Sequence, residues 1–298
     1  ICKAASLAKM RAMACQACQA DETQFYVQGS GDFLTYLTLA PDIEICEGNV
    51  TYAERWMRGV AEQLGIDGAE LLPTNYHLVD AEELAAHCGS AAACTQRGDG
   101  SIEIYATRVL RAHELVHAVQ FSQWPAHRAV LAEGLAVVYD DTSQQPLLWN
   151  PISSAHLDEL LEAHGSDAPG EVYTVGGYLV YWLLQRHGPA KLAEFWLADA
   201  ASGSRTAAAF RAGFEQHFGE SLDAMIADVQ DSGPACVIPT CVDDLVEWQG
   251  DRWTFESPQA CGGTVRGTLE GDAIQLEQSV LLEITQVGSY QVSVTDGQ

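Results

Sequence analysis

Two histidines four residues apart, His113 and His117, enclose Glu114-Leu115-Val116. In a helix, positions i and i+4 share a face, so both imidazoles reach one point. Two nitrogen ligands from one helix supply half of a tetrahedral zinc site. Glu114, directly after the first histidine, is placed to hold a water on the metal and take its proton. The surrounding residues, Leu110, Ala112, Leu115, Val116, Ala118, Val119 and Phe121, make the segment apolar nearly all round. Such a helix is buried. Burying two histidines and a glutamate without partners is costly, and a metal removes that cost. From this composition H-E-x-x-H arises by chance in roughly one chain in fifty, so the reading depends on a third ligand.

After His117 the chain meets a helix stop at Trp124-Pro125 and resumes a helical pattern from Arg128 to Tyr139. Between Ala129 and Tyr139 the only charged residue is Glu133. A lone carboxylate on an apolar helix is either paired to a cation or bound to a metal. Arg111 and Arg128 are the candidate cations. The metal reading instead joins Glu133 to the two histidines and leaves a fourth position open for water, which is a catalytic pattern. Gly134 beside it permits a second helix to come close.

H-E-L-V-H followed by Ala132-Glu133-Gly134-Leu135-Ala136 resembles the gluzincins, zinc metallopeptidases with an E-G-x-A-type second helix, closest to the peptidase MA-like group. The metzincin pattern requires Gly at 120 and His at 123, and both are glutamine. The G-T-x-x-D motif of the aspzincins is absent. A second match is Val172-Tyr173-Thr174-Val175-Gly176-Gly177, which opens a helix from Gly177 to His187 closed by Gly188-Pro189. In the aminopeptidase-N-like branch, Y-x-x-G at such a helix start supplies a tyrosine that stabilises the oxyanion, and Tyr173 with Gly176 sits on that pattern. A packing role is the alternative for this tyrosine. The G-x-M-E-N segment that binds a free amino terminus in aminopeptidases is missing. The resemblance covers roughly residues 100–230 and implies one zinc held by His113, His117 and Glu133, with Glu114 and Tyr173 catalytic.

The elements that must position these groups follow from periodicity. Gln24 to Gln28, Phe33 to Leu39, Thr74 to Val79 and Ser101 to Ala106 read as strands. Asn49 is expected to cap a helix through Leu64, and also stands in the sequon Asn49-Val50-Thr51. Asp80 with Glu83 forms a capping box for a short helix to Cys88. The last of these strands leads into the zinc helix and is expected to be the sheet edge on which an extended peptide adds. Further helices are expected near Ser154 to His164, from Pro189 to Ala201, from Arg205 to Phe218 and from Ser221 to Asp231. Ser232-Gly233-Pro234 breaks the helical region. Short alternating stretches such as Trp253-Thr-Phe255 and Tyr290 to Val294 then suggest a small β-sandwich. The sequence stops just after a strand, so this unit is expected to be incomplete.

The expectation is therefore an α+β chain in three parts. Residues 1–22 form an alanine-rich leader or tail. Residues 23–232 form a zincin-like domain, with an N-terminal mixed-sheet lobe and a helical C-terminal lobe. Residues 235–298 form a small all-β domain. No apolar run reaches bilayer length. The net charge of −26, from 41 acids against 15 bases, argues against nucleic acid and anionic membranes as partners and would attract a cationic substrate. There are nine cysteines, and paired cysteines in an acidic hydrolase suggest an oxidising compartment, secreted or cell-envelope, with Cys88–Cys94 as a disulfide and free buried thiols as the alternative. Cys15 and Cys18, and the cluster Cys236, Cys241 and Cys261, have no assigned pairing. His77, His87, His127, His156, His164, His187 and His217 show no helical pairing with another ligand type and are expected at surfaces or helix ends. The expected activity is zinc-dependent hydrolysis of a peptide or protein substrate. The rival expectation is a zincin-shaped scaffold that holds metal without turnover.

Overall fold

Leu34-Thr-Tyr-Leu-Thr38 alternates buried and half-buried positions, as a strand covered on one face must. It is β2 of a five-stranded sheet in the order β1-β2-β3-β5-β4. The strands are β1 (Tyr26–Ser30), β2 (Leu34–Thr38), β3 (Thr74–Leu78), β4 (Ala93–Arg97) and β5 (Ile102–Ala106). β2, β3 and β5 run parallel, while β1 and β4 flank them antiparallel. The computed structural model describes residues 25–39, 45, 47–125, 127–140, 153–164 and 168–229, and the backbone of short strands between 252 and 296. The α+β class holds. Residues 1–22, Cys15, Cys18, the Cys236, Cys241 and Cys261 cluster and the break at 232–234 lie outside the described residues.

Eight helices are described: α1 (Glu47–Gln63), α2 (Ala81–Cys88), α3 (Ala112–Gln123), α4 (Ala129–Tyr139), α5 (Ser154–Glu162), α6 (Glu171–Ser202), α7 (Ala207–Phe218) and α8 (Leu222–Val229). α1 packs against the sheet and α3, burying Trp56, Met57 and Val60 completely or nearly so. Asn49 is not its cap. It is the third helical residue, because the helix starts at Glu47. Asp80 does cap α2, its Oδ1 accepting from the Glu82 and Glu83 backbone N–H groups at 3.0 and 2.9 Å. α6 begins at Glu171 rather than Gly177, and it kinks at Gly188, whose φ of 77° only glycine adopts readily.

The position of β4 corrects the expected sheet edge. β5 is interior, and Ala93-Cys-Thr-Gln-Arg97 lies outside it as the edge strand. These five residues are half-buried or exposed and show no apolar alternation, which is why their strand went unread. Cys94 on β4 is bonded to Cys88 at the end of α2, with Cα atoms 5.6 Å apart. Two buried, tilted tyrosines on neighbouring strands then fix the approach to α3. Tyr36 donates to Val109 O at 2.7 Å and Tyr76 to Arg108 O at 2.6 Å. Among the described residues no helix is long and apolar enough to cross a membrane. In the C-terminal region β6 (Arg252–Pro258), β7 (Thr264–Glu270) and β8 (Ala273–Leu276) pair antiparallel, as do β9 (Val280–Leu281) and β10 (Thr295–Asp296).

Candidate metal centre

α3 carries His113 and His117 one turn apart, with Glu114 directly after the first, and α4 brings Glu133 across from them. The Nε2 atoms of His113 and His117 stand 3.0 and 3.3 Å from the same oxygen, Glu133 Oε2. All three donor atoms lie within 4.8 Å of one another. Metal bonds of 2.0–2.1 Å in tetrahedral array set ligand atoms about 3.3 Å apart, so the two histidine–glutamate separations match that requirement. This group could hold a metal ion. Two nitrogens and one carboxylate oxygen are donors that zinc accepts, and they fill three of four tetrahedral positions.

The alternative partners for Glu133 are otherwise placed. Arg128 is fully buried and spends its guanidinium on Asp199, with Nε–Oδ2 at 2.6 Å and Nη2–Oδ1 at 3.0 Å. Arg111 makes no ion pair with Glu133. Burial alone would raise the Glu133 carboxyl, but the two imidazoles beside it outweigh burial and hold it well below the usual carboxylate range. For His117, burial pushes the imidazole down. Hydrogen bonding and the charge of Glu133, aided by Glu114, win and raise it. Its Nδ1 lies 3.4 Å from Gln120 Oε1, an acceptor one helical turn on and wholly buried. Donation from Nδ1–H there leaves the Nε2 lone pair directed at the common point.

What brings Glu133 to Tyr173 is an encounter of two glycines. Gly134 on α4 and Gly176 on α6 meet backbone to backbone. A Cβ on Gly134 would overlap the Gly176 carbonyl, and one on Gly176 would overlap Val130 O. Tyr173, in the first turn of α6, lands with its ring centroid 5.7 Å from that of His113. Burial, then the charges of Glu133 and Glu114, push its phenol up to about 12, so it is a proton donor at neutral pH.

The sequence reading missed Thr95 on β4. Its hydroxyl lies 2.8 Å from Glu114 Oε2 and 3.2 Å from the Glu114 carbonyl. No signal at Thr95 could have revealed this, because the contact spans a strand that periodicity did not show. Cys88, Cys94, Thr95, His113, His117, Glu133 and Tyr173 all line one cleft of about 950 Å³. No protein-family model matches the chain, and no curated protein matches it.

Proposed function

We propose that the chain is a zinc metallopeptidase of the gluzincin type, with a zincin-like domain over residues 23–232, a small β-sandwich after it, and a working place in an oxidising compartment outside the cell or in its envelope. The observation that carries this reading is the convergence of His113 and His117 on Glu133 Oε2, with Glu114 beside them in an open cleft. The Cys88–Cys94 bond supports the compartment.

His113, His117 and Glu133 would hold zinc, which when bound supplies a Lewis acid for the scissile carbonyl and lowers the pKa of water. Glu114 accepts a proton from the attacking water and delivers it to the leaving amine nitrogen as the C–N bond breaks. Thr95 keeps Glu114 from swinging away, through its hydroxyl bond to Oε2. Tyr173 donates its phenolic hydrogen to the carbonyl oxygen as that oxygen gathers charge. The outer edge of β4, beside Glu114, has no neighbouring strand among the described residues and would pair with an extended peptide.

Purified chain loaded with zinc and given a denatured protein tests the proposal. The expected result is hydrolysis that a chelator abolishes and added zinc restores. Hydrolysis indifferent to chelator, or none at all with zinc stoichiometrically bound, refutes it.

A further inference from the structure

The cleft does not share the charge of the chain. Among the described residues, the acids that line it are Glu114 and Glu133, and both belong to the candidate metal centre. Basic side chains are few, 15 in all, yet Arg128 and Arg205 line this one cavity, with His127 and His164 close by.

His127, Arg128, His164 and Arg205 gather on one wall. Ala129 N donates to Ala163 O at 3.3 Å, which sets the start of α4 beside His164. The turn Ser204-Arg205-Thr206 is clamped there from below. Buried Arg128 donates to the carbonyls of Ser204 and Arg205 at 2.9 and 3.1 Å, and His127 Nε2 lies 3.1 Å from Ser204 O. The charge of Arg128 is met by Asp199, so it serves as the anchor and not as the free cation. Glu162, the other acid nearby, accepts from the Ala207 N–H at 2.8 Å. Arg205 differs. Its side chain is exposed to the cleft and makes no ion pair or hydrogen bond among the described residues. Its backbone is held by these bonds while its guanidinium has no partner among the described residues, which is how a preorganised anion ligand is built.

We propose that this wall is a carboxylate-binding subsite with Arg205 as its cation, and that the substrate is a peptide presenting there an acidic side chain or its own C-terminal carboxylate. The inference rests on reading the cleft as a peptide site. A planar guanidinium receives a carboxylate in bidentate fashion, which fixes register as well as adding affinity.

The test uses full-length zinc-loaded Glu114→Gln protein, so that bound peptide is not consumed, and fluorescence anisotropy with labelled alanine-leucine peptides. One glutamate is walked along the peptide, with a glutamine counterpart at each position, and every peptide is made as free acid and as C-terminal amide. The expected result is that at least one carboxylate tightens binding about ten- to a hundred-fold, as a charge-assisted pair does. Arg205→Gln removes that gain, Arg205→Lys restores part of it, and neutral peptides bind all three proteins alike. Loss with the amide identifies the C-terminal carboxylate, and loss with glutamine identifies a side chain. Equal binding of acidic and neutral peptides, no peptide binding, or a preference that survives Arg205→Gln overturns the subsite. Zinc-dependent cleavage of neutral peptides alongside such a result leaves the peptidase reading standing. Charge-selective binding in a chain whose unsubstituted form cleaves nothing sinks the peptidase reading instead.

Discussion

Substituting alanine for Gly176 or Gly134 probes how the third ligand is delivered. A Cβ at Gly176 would overlap Val130 O and stand 3.2 Å from Gly134 Cα, and both obstacles are backbone. No side chain can rotate aside, so α4 and α6 must part by something on the order of 1 Å, close-packed interiors having no slack to absorb it. Metal–ligand distances tolerate only about 0.2 Å. The displacement therefore exceeds what the site can take, and Glu133, next to Gly134, moves with α4. Overall stability suffers less, since overpacking costs about 1–3 kcal/mol while alanine returns about 1 kcal/mol of helix propensity. The variants are expected to fold with unchanged circular dichroism but to bind zinc about ten- to a hundred-fold more weakly, as when a metal site loses its support. Competition with a chromogenic chelator reads this directly. Unchanged zinc affinity in both variants refutes the claim that this helix contact sets the site.

Three further outcomes follow from the packing. Serine at both Cys88 and Cys94 opens a loop of sequence separation 6 and is expected to cost about 2 kcal/mol in chemical denaturation, with no loss if β4 stands without the bond. Arg128→Met leaves Asp199 buried without its cation and is expected to lower stability by about 3–5 kcal/mol; a loss under about 1 kcal/mol contradicts the clamp. His77 and Glu103 are bonded at 2.8 Å. Burial lowers the His77 imidazole despite Glu103, and the bonds from His77, Ser101 and Asn75 lower the Glu103 carboxyl against the opposing effect of burial. Both depressed groups stabilise the fold above their unfolded values and lose that contribution as pH falls. The difference in stability between wild type and His77→Gln is thus expected to shrink from about pH 7 to about pH 5, and a difference that grows contradicts it.

Much of this was legible before the structure, and the reason is local. His113, Glu114 and His117 declare their convergence through helical spacing alone, and Glu133 stands out as the one charge on an apolar helix. The Gly134–Gly176 contact was half visible, since Gly134 suggested close approach of a second helix without naming the partner glycine. What sequence could not show is contact across distant segments. Thr95 reaches Glu114 from a strand of weak pattern, and Arg128 reads as a helix-start cation though it is fully buried against Asp199, 71 residues on. Glu54 is similar: it lies inside an amphipathic helix, yet it is buried and accepts from the Phe33 and Leu34 N–H groups at 2.8 and 2.9 Å. The place of Arg205 on the cleft was hidden by composition, because a net charge of −26 describes the whole chain and not one cleft.

The central claim separates holding a metal from using it, and one paired measurement tests it. Glu114→Gln and Glu133→Gln are compared for zinc content by elemental analysis and for hydrolysis of a denatured protein. Glu114→Gln keeps its shape but accepts no proton, so it is expected to retain one zinc per chain and to lose hydrolysis by more than the ~10²–10⁴ of a general base, since the water also loses its anchor. Glu133→Gln is expected to lose zinc, a neutral amide having replaced an anionic ligand. Full activity in Glu114→Gln, or full zinc in Glu133→Gln, contradicts the account.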